Sequence, residues 1–129
     1  MEQDRVDDLE ASYATTPPWD IGRPQPGLAA LAGSFRGRVL DVGCGTGEHA
    51  LLAAEVGLDA TGIDIASSAI RLAEAKAQER GLAVRFVVGD ALALEGLGEQ
   101  FDTVLDCGLF HVFDDADRPR FVASLATAT

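Results

Sequence analysis

Residues 39–47 read VLDVGCGTG: an apolar run interrupted by Asp41, then glycines at 43, 45 and 47. A glycine-rich turn after a strand lets a ligand approach the backbone with no Cβ in the way, and such turns commonly cradle phosphate. This one meets neither phosphate signature. A dinucleotide loop needs a glycine where Glu48 stands, and a P-loop needs a Gly-Lys pair, whereas no lysine occurs between 38 and 75. The acids point elsewhere. Asp41, Asp64, Asp90 and Asp106 each fall at or near the end of an apolar run, and Glu48 adds another carboxylate just past the loop. Two like charges 4 Å apart repel by about 1 kcal/mol even in water, and by more at lower dielectric, so a pyrophosphate is disfavoured here and a cation is favoured. Taken singly, each acid reads as an ordinary turn or helix-start residue. Asp41 and Asp106 fit that reading less well, since each interrupts an otherwise apolar strand.

The elements that must position these residues alternate. RVLDV (38–42), DATGIDI (59–65), AVRFVVGD (83–90) and FDTVLDCG (101–108) read as buried strands. GEHALLAAEVG (47–57) reads as a helix stopped by Gly57. SSAIRLAEAKAQERG (67–81) is the clearest helix, with Ser67 as N-cap, Ile70, Ala73 and Ala77 on one face, and Gly81 closing it. A last helix covers about 117–128, with Phe121, Leu125 and Ala128 in one stripe. Upstream, Val6, Leu9 and Tyr13 have helical spacing, TPPWDIGRPQPG (16–27) reads as an ordered loop or lid, and residues 28–32 can start a short helix. Strand–helix–strand alternation gives parallel βαβ units and an α/β, doubly wound parallel sheet. The expected division is an N-terminal helix and lid segment over 1–35 and a ligand-binding core over 36–129. The final helix leads into no strand, so the chain reads as the front part of a longer domain.

Composition narrows the partners. The chain has 129 residues, suited to one domain, and is 47% hydrophobic, enough for a core. Its formal net charge of −11 opposes binding to nucleic acid and to anionic membranes. No apolar run is long enough for a transmembrane helix, and the acidic N-terminus lacks the apolar stretch of a signal peptide. Cys44 and Cys107 have neither zinc nor CxxC spacing, so they read as reduced thiols of a cytoplasmic protein, with no metal site expected.

With these residues in place, the sequence resembles the class I S-adenosylmethionine-dependent methyltransferases. VLDVGCGTG (39–47) is similar to that family's first motif, GIDIA (62–66) to the second, GDAL (89–92) to the third and FDTVLDCG (101–108) to the fourth. The resemblance implies a Rossmann-like sheet of about four strands in the order 3-2-1-4, and S-adenosyl-L-methionine as cofactor. It implies that Asp41 and the backbone of Gly43, Cys44, Gly45, Thr46 and Gly47 hold the methionine part. Asp64 would take the ribose hydroxyls, Ile65 the adenine face, Asp90 and Ala91 the adenine edge, and Asp106 and Cys107 the methyl end. PPWDIGRPQP (17–26) looks like the N-terminal segment of the thiol, thiopurine and halide methyltransferase group. By that likeness Trp19 covers the sulfonium, a cation–π contact of about 0.5–2 kcal/mol, and Asp20 and Arg23 line the entrance. The plain alternative is that Trp19 anchors the loop on the core.

Methyl transfer from a sulfonium is an in-line displacement that needs alignment and exclusion of water more than a nucleophilic residue. A thiol acceptor hardly needs a base; an amine or hydroxyl does. His111 is the candidate base, and His49 lies near the glycine loop; for each the competing reading is a satisfied structural histidine. The expectation is therefore a methyltransferase acting on a small-molecule nucleophile. The rival expectations are a non-catalytic cofactor-binding module and, less favoured, an NAD-dependent oxidoreductase. The fourth strand would lie at an edge of the sheet, where self-association by strand pairing is expected.

Overall fold

A computed structural model describes Val6, Glu10, residues 22–106 and residues 109–129, without the side chains of Phe110 and His111. Four parallel strands form the sheet: β1 (Arg38–Val42), β2 (Asp59–Asp64), β3 (Arg85–Val88) and β4 (Thr103–Asp106). Their order is β3-β2-β1-β4, the order the resemblance implied. The α-helices with described bounds are α1 (Pro26–Ala30), α2 (Glu48–Glu55), α3 (Ser67–Arg80), α4 (Leu109–Val112) and α5 (Asp117–Ala128). A pair of 3₁₀ turns spans Ala91–Leu97, broken at Ala93. That stretch and α4 carry too few residues for a periodic pattern to reveal them.

Strand alternation explains the two layers of core. Leu40, Val42 and Ile63 point to one face, where Leu92, Leu94, Phe101, Phe113, Phe121 and Ala128 cover them. Val39, Ala60 and Leu105 point to the other, against Ala50, Ala53 and Phe35. Asp41, two residues on from Val39, therefore points toward α2. The first layer is closed by polar contacts as well as apolar ones. The Ser124 hydroxyl accepts the Leu94 N–H at 2.8 Å, and the Ala128 carbonyl accepts the Phe101 N–H at 2.7 Å. Phe113 and Phe121 meet with ring centroids 5.1 Å apart.

The parallel register sets the height of each strand end. Val42 lies beside Ile63 on β2 and beside Asp106 on β4, so Asp64 ends β2 one step higher and Asp41 sits one step lower. The opposite edge of the sheet carries the cations. Arg38 pairs with Glu99 and Asp59, Arg85 pairs with Glu99, and the Asp102 carboxylate accepts the Arg38 N–H at 2.8 Å. Gly37 is required there: at φ +58° its missing Cβ would lie 2.1 Å from Asp102 Oδ2.

The N-cap expected at Ser67 falls one residue earlier. Ala66 holds that position and supplies no side-chain cap. Glu10 does the capping instead, from the far N-terminal side of the sequence. Its carboxylate accepts the N–H and hydroxyl of Ser67 and, at 3.0 Å, the N–H of Ser68. The final helix starts at Asp117, as expected, and Asp114 Oδ1 accepts the Asp117 N–H at 2.8 Å.

Candidate functional site

Three glycines with positive φ shape the loop between β1 and α2, but they do different work. Gly43 (φ +65°) is exposed, and a Cβ there would press on Leu109 at 3.0 Å. Gly45 (φ +55°) is half-buried, and its N–H is held at 2.9 Å by Asp64 Oδ2. Gly47 (φ +91°) is buried; a Cβ there would lie 2.7 Å from the Phe86 ring and 3.0 Å from Ala73. Gly47 thus serves close packing of α2 against β3 and α3, whereas Gly43 and Gly45 leave backbone accessible at the rim. The Cys44 N–H reaches the Ile63 carbonyl at 3.0 Å, fastening the loop to β2.

Each rim aspartate holds the start of the element that follows it or lies beside it. Asp41 Oδ2 accepts the Ala50 N–H at 3.1 Å, a first-turn donor that has no partner within its own helix. Asp64 accepts Gly45 N–H with one oxygen and Ala66 N–H with the other, both at 2.9 Å. Asp106 Oδ1 accepts the Leu109 N–H at 2.7 Å, and Asp90 Oδ1 accepts the Leu92 N–H at 2.8 Å. The turn-and-cap reading and the ligand reading are therefore compatible. A carboxylate oxygen carries more than one acceptor site, so an oxygen that holds a backbone N–H can still take a ligand donor.

Burial gives these acids unequal character. Asp41 is only 1% exposed; loss of hydration first, aided by the charges of Asp64 and Asp106 and opposed by the Ala50 hydrogen bond, pushes its carboxyl up to about 8. Burial likewise raises Asp64, against the backbone N–H bonds from Ala66 and Gly45 that favour its charge. Burial first, then Asp41 and Asp64, push the Cys44 thiol well up, so Cys44 is a buried, protonated thiol. Asp41 and Asp64 make no ion pair among the described residues.

Glu48 is corrected. The sequence suggested another uncompensated carboxylate near the rim, but Glu48 is buried against α3. Arg80 holds it with two hydrogen bonds at 2.9 and 3.0 Å, and Lys76 donates to it at 2.8 Å. Lys76 also donates to the Thr46 hydroxyl at 2.8 Å, so the Thr46 side chain is engaged in the same tether. The cations lie one helical turn apart on α3, a spacing visible in the sequence; which partner they face was not.

The remaining expected residues divide. Ile65 and Ala91 are half-exposed beside Asp64 and Asp90. Arg23 is exposed. His49 is buried on α2, and its Nε2 accepts the Gln25 N–H at 2.9 Å; burial lowers its proton affinity. His49 thus spends one ring nitrogen on the backbone before α1, as a structural histidine would. Trp19, Asp20 and Cys107 lie outside the described residues, as does the side chain of His111.

A parallel sheet with helices on both faces and a glycine loop at the carboxyl end of its first strand defines a Rossmann-like ligand-binding domain. Residues 39–129 match the methyltransferase domain family model, and the chain belongs to that family. It is 43% identical, over 99% of its length and 61% of the relative's, to the 2-heptyl-1-hydroxyquinolin-4(1H)-one methyltransferase of Mycobacteroides abscessus. It is 36% identical, over 79% of its length and 38% of the relative's, to the ubiquinone biosynthesis O-methyltransferase of Roseobacter denitrificans. A structure solved in work on the conversion of a disulfide bond into a thioacetal group during echinomycin biosynthesis superposes with a TM-score of 0.91 at 45% identity. That match covers 96% of this chain and 55% of the other. The chain thus spans between about two fifths and three fifths of the length of these proteins.

Proposed function

We propose that the rim binds S-adenosyl-L-methionine and that the protein carries its methyl group to a small-molecule nucleophile. The observation that supports this best is the pairing of an accessible Gly43–Gly45 backbone with Asp41, Asp64 and Asp106 on adjoining strands. Those carboxylates suit a ligand with an ammonium, a sulfonium and two vicinal hydroxyls, and oppose a phosphate.

On this reading Asp64 accepts the ribose hydroxyls with oxygens already aligned by Gly45 and Ala66. Ile65 packs on the adenine, and Asp90 and Ala91 meet its edge. Asp41 and the 43–47 backbone receive the methionine end, with Asp106 and Cys107 nearer the methyl group and Trp19 over the sulfonium. The bound cofactor supplies an activated methyl group. The chain's part is to align the donor, match its positive charge and exclude water. His111 is the group proposed to take a proton where the acceptor needs it. The division into an N-terminal segment over 1–35 and a core over 36–129 belongs to the same proposal.

For the acceptor we favour a thiol or a similar small nucleophile. The support is the likeness of PPWDIGRPQP to the thiol, thiopurine and halide group. The relatives reported above, by name, concern a hydroxyquinolone, a ubiquinone precursor pathway and disulfide-to-thioacetal chemistry, all small-molecule chemistry. Calorimetric titration with S-adenosylmethionine, S-adenosylhomocysteine and NAD tests the cofactor: the first two are expected to bind and NAD not to. Binding of NAD alone would overturn the reading. Incubation of methyl-labelled cofactor with small thiols and hydroxyquinolones then tests the acceptor, with label transfer to the thiols expected and exclusive transfer to the hydroxyquinolones counting against it.

A further inference from the structure

The first turn of α3 takes its cap from the other end of the chain, next to the rim. Ser67 and Ser68 donate their backbone N–H groups and the Ser67 hydroxyl to the Glu10 carboxylate, and the Ser68 hydroxyl donates to the Glu10 carbonyl at 3.2 Å. No acid within α3's own first turn does this work, and Ala66 brings no capping side chain. The hydrogen bonds from Ser68 and Ser67 hold the Glu10 carboxyl down at about 2, so it is ionised at any physiological pH.

Its position ties it to the site. Asp64 ends β2, its Oδ1 accepts the Ala66 N–H, and Ser67 follows directly. The Glu10 charge is close enough to raise Asp64's affinity for a proton. The turn Asp64–Ile65–Ala66 is therefore gripped from both ends, by β2 on one side and by Glu10 through Ser67 and Ser68 on the other.

We propose that Glu10 is a positioning residue of the rim site: by capping the first turn of α3 it fixes the Asp64–Ile65–Ala66 turn against a bound nucleoside, so that the core over 36–129 does not make a complete site without residue 10. This rests on the reading of the rim as an S-adenosylmethionine site. It links the N-terminal segment over 1–35 to the core over 36–129 at the rim.

Amide exchange offers a readout independent of ligand. First-turn helix amides have no partner in their own helix, so protection at Ser67 and Ser68 reports the Glu10 contact. Both amides are expected to be protected in the full chain and to lose about tenfold in protection in Glu10→Ala. S-adenosylhomocysteine should then bind Glu10→Ala about five- to tenfold more weakly, the scale of a lost helix cap. That measurement belongs well below the variant's Tm, so that lost stability alone does not move it. Glu10→Gln, which keeps one acceptor oxygen, should recover part of both effects. Unprotected amides in the wild type would overturn the docking. Deprotected amides in Glu10→Ala with unchanged affinity would overturn the positioning role and leave a plain cap. If the wild type binds no S-adenosylhomocysteine, it is the cofactor reading that fails, and the exchange data still decide the docking.

Discussion

Asp41 holds a buried carboxyl whose ionisation costs hydration; on the proposed reading the cofactor's ammonium would offset that cost. Its carboxyl is raised from the ordinary 3.8 to about 8. The folded protein thus keeps a proton that the unfolded chain releases between those values, and this residue's contribution to stability declines as pH rises through that window. A cation favours the ionised form, so ligand binding should expel a proton below pH 8 and affinity should rise toward that pH. Calorimetry in two buffers of different ionisation enthalpy would count the proton. Asp41→Asn keeps an acceptor for the Ala50 N–H and removes the charge. The variant should be at least as stable as wild type at pH 8, by thermal melting, while binding S-adenosylhomocysteine at least about tenfold more weakly, the worth of a charged hydrogen bond. Asp64→Ala should cost both properties. Lost ribose hydrogen bonds weaken affinity by about 1.5–3 kcal/mol, and the stranded Gly45 and Ala66 N–H groups lower stability. Unchanged affinity in Asp64→Ala would show that ribose binds elsewhere.

Among the elements, α2 and α3 are locked by Glu48, whose carboxylate faces Lys76 and Arg80 of α3. Lys76 and Arg80 retain partial access to water, with side chains 23% and 36% exposed, so they can rehydrate when Glu48 is removed. Glu48→Ala should therefore lose about 1–3 kcal/mol in chemical denaturation, less than a fully buried pair would. S-adenosylhomocysteine affinity should change little, because Glu48 faces α3 and not the rim. A large affinity loss with little change in stability would reverse that assignment. Local sequence announced α2, α3 and α5 through periodicity and stop signals, but not the turns over Ala91–Leu97. It did not announce which helix face met which. Lys76 and Arg80 advertise a shared face, yet nothing local says that Glu48 lies opposite. Glu10 is 57 positions from Ser67, beyond any local pattern.

In the whole molecule, β3 and β4 are the outer strands of the described sheet. An outer strand offers unpaired backbone groups to another chain, and we propose that this chain self-associates through β4. Light scattering should find species larger than a monomer at micromolar concentration, and a stable monomer across that range would refute this. No helix among the described residues is long and apolar enough to cross a membrane.

The sequence alone determined the strands, their parallel α/β arrangement, the glycine loop and the aspartates at strand ends, because each follows from local chemistry and a repeat of one motif. Tertiary structure decided what those acids are worth. Burial raised Asp41's hold on a proton, and α3 turned Glu48 from a rim charge into a tether. A glutamate from the far N-terminal side came to cap α3, where Ser67 had been expected to do so. Hydration, dielectric and partner geometry depend on what packs around a residue, and that is set by the fold as a whole.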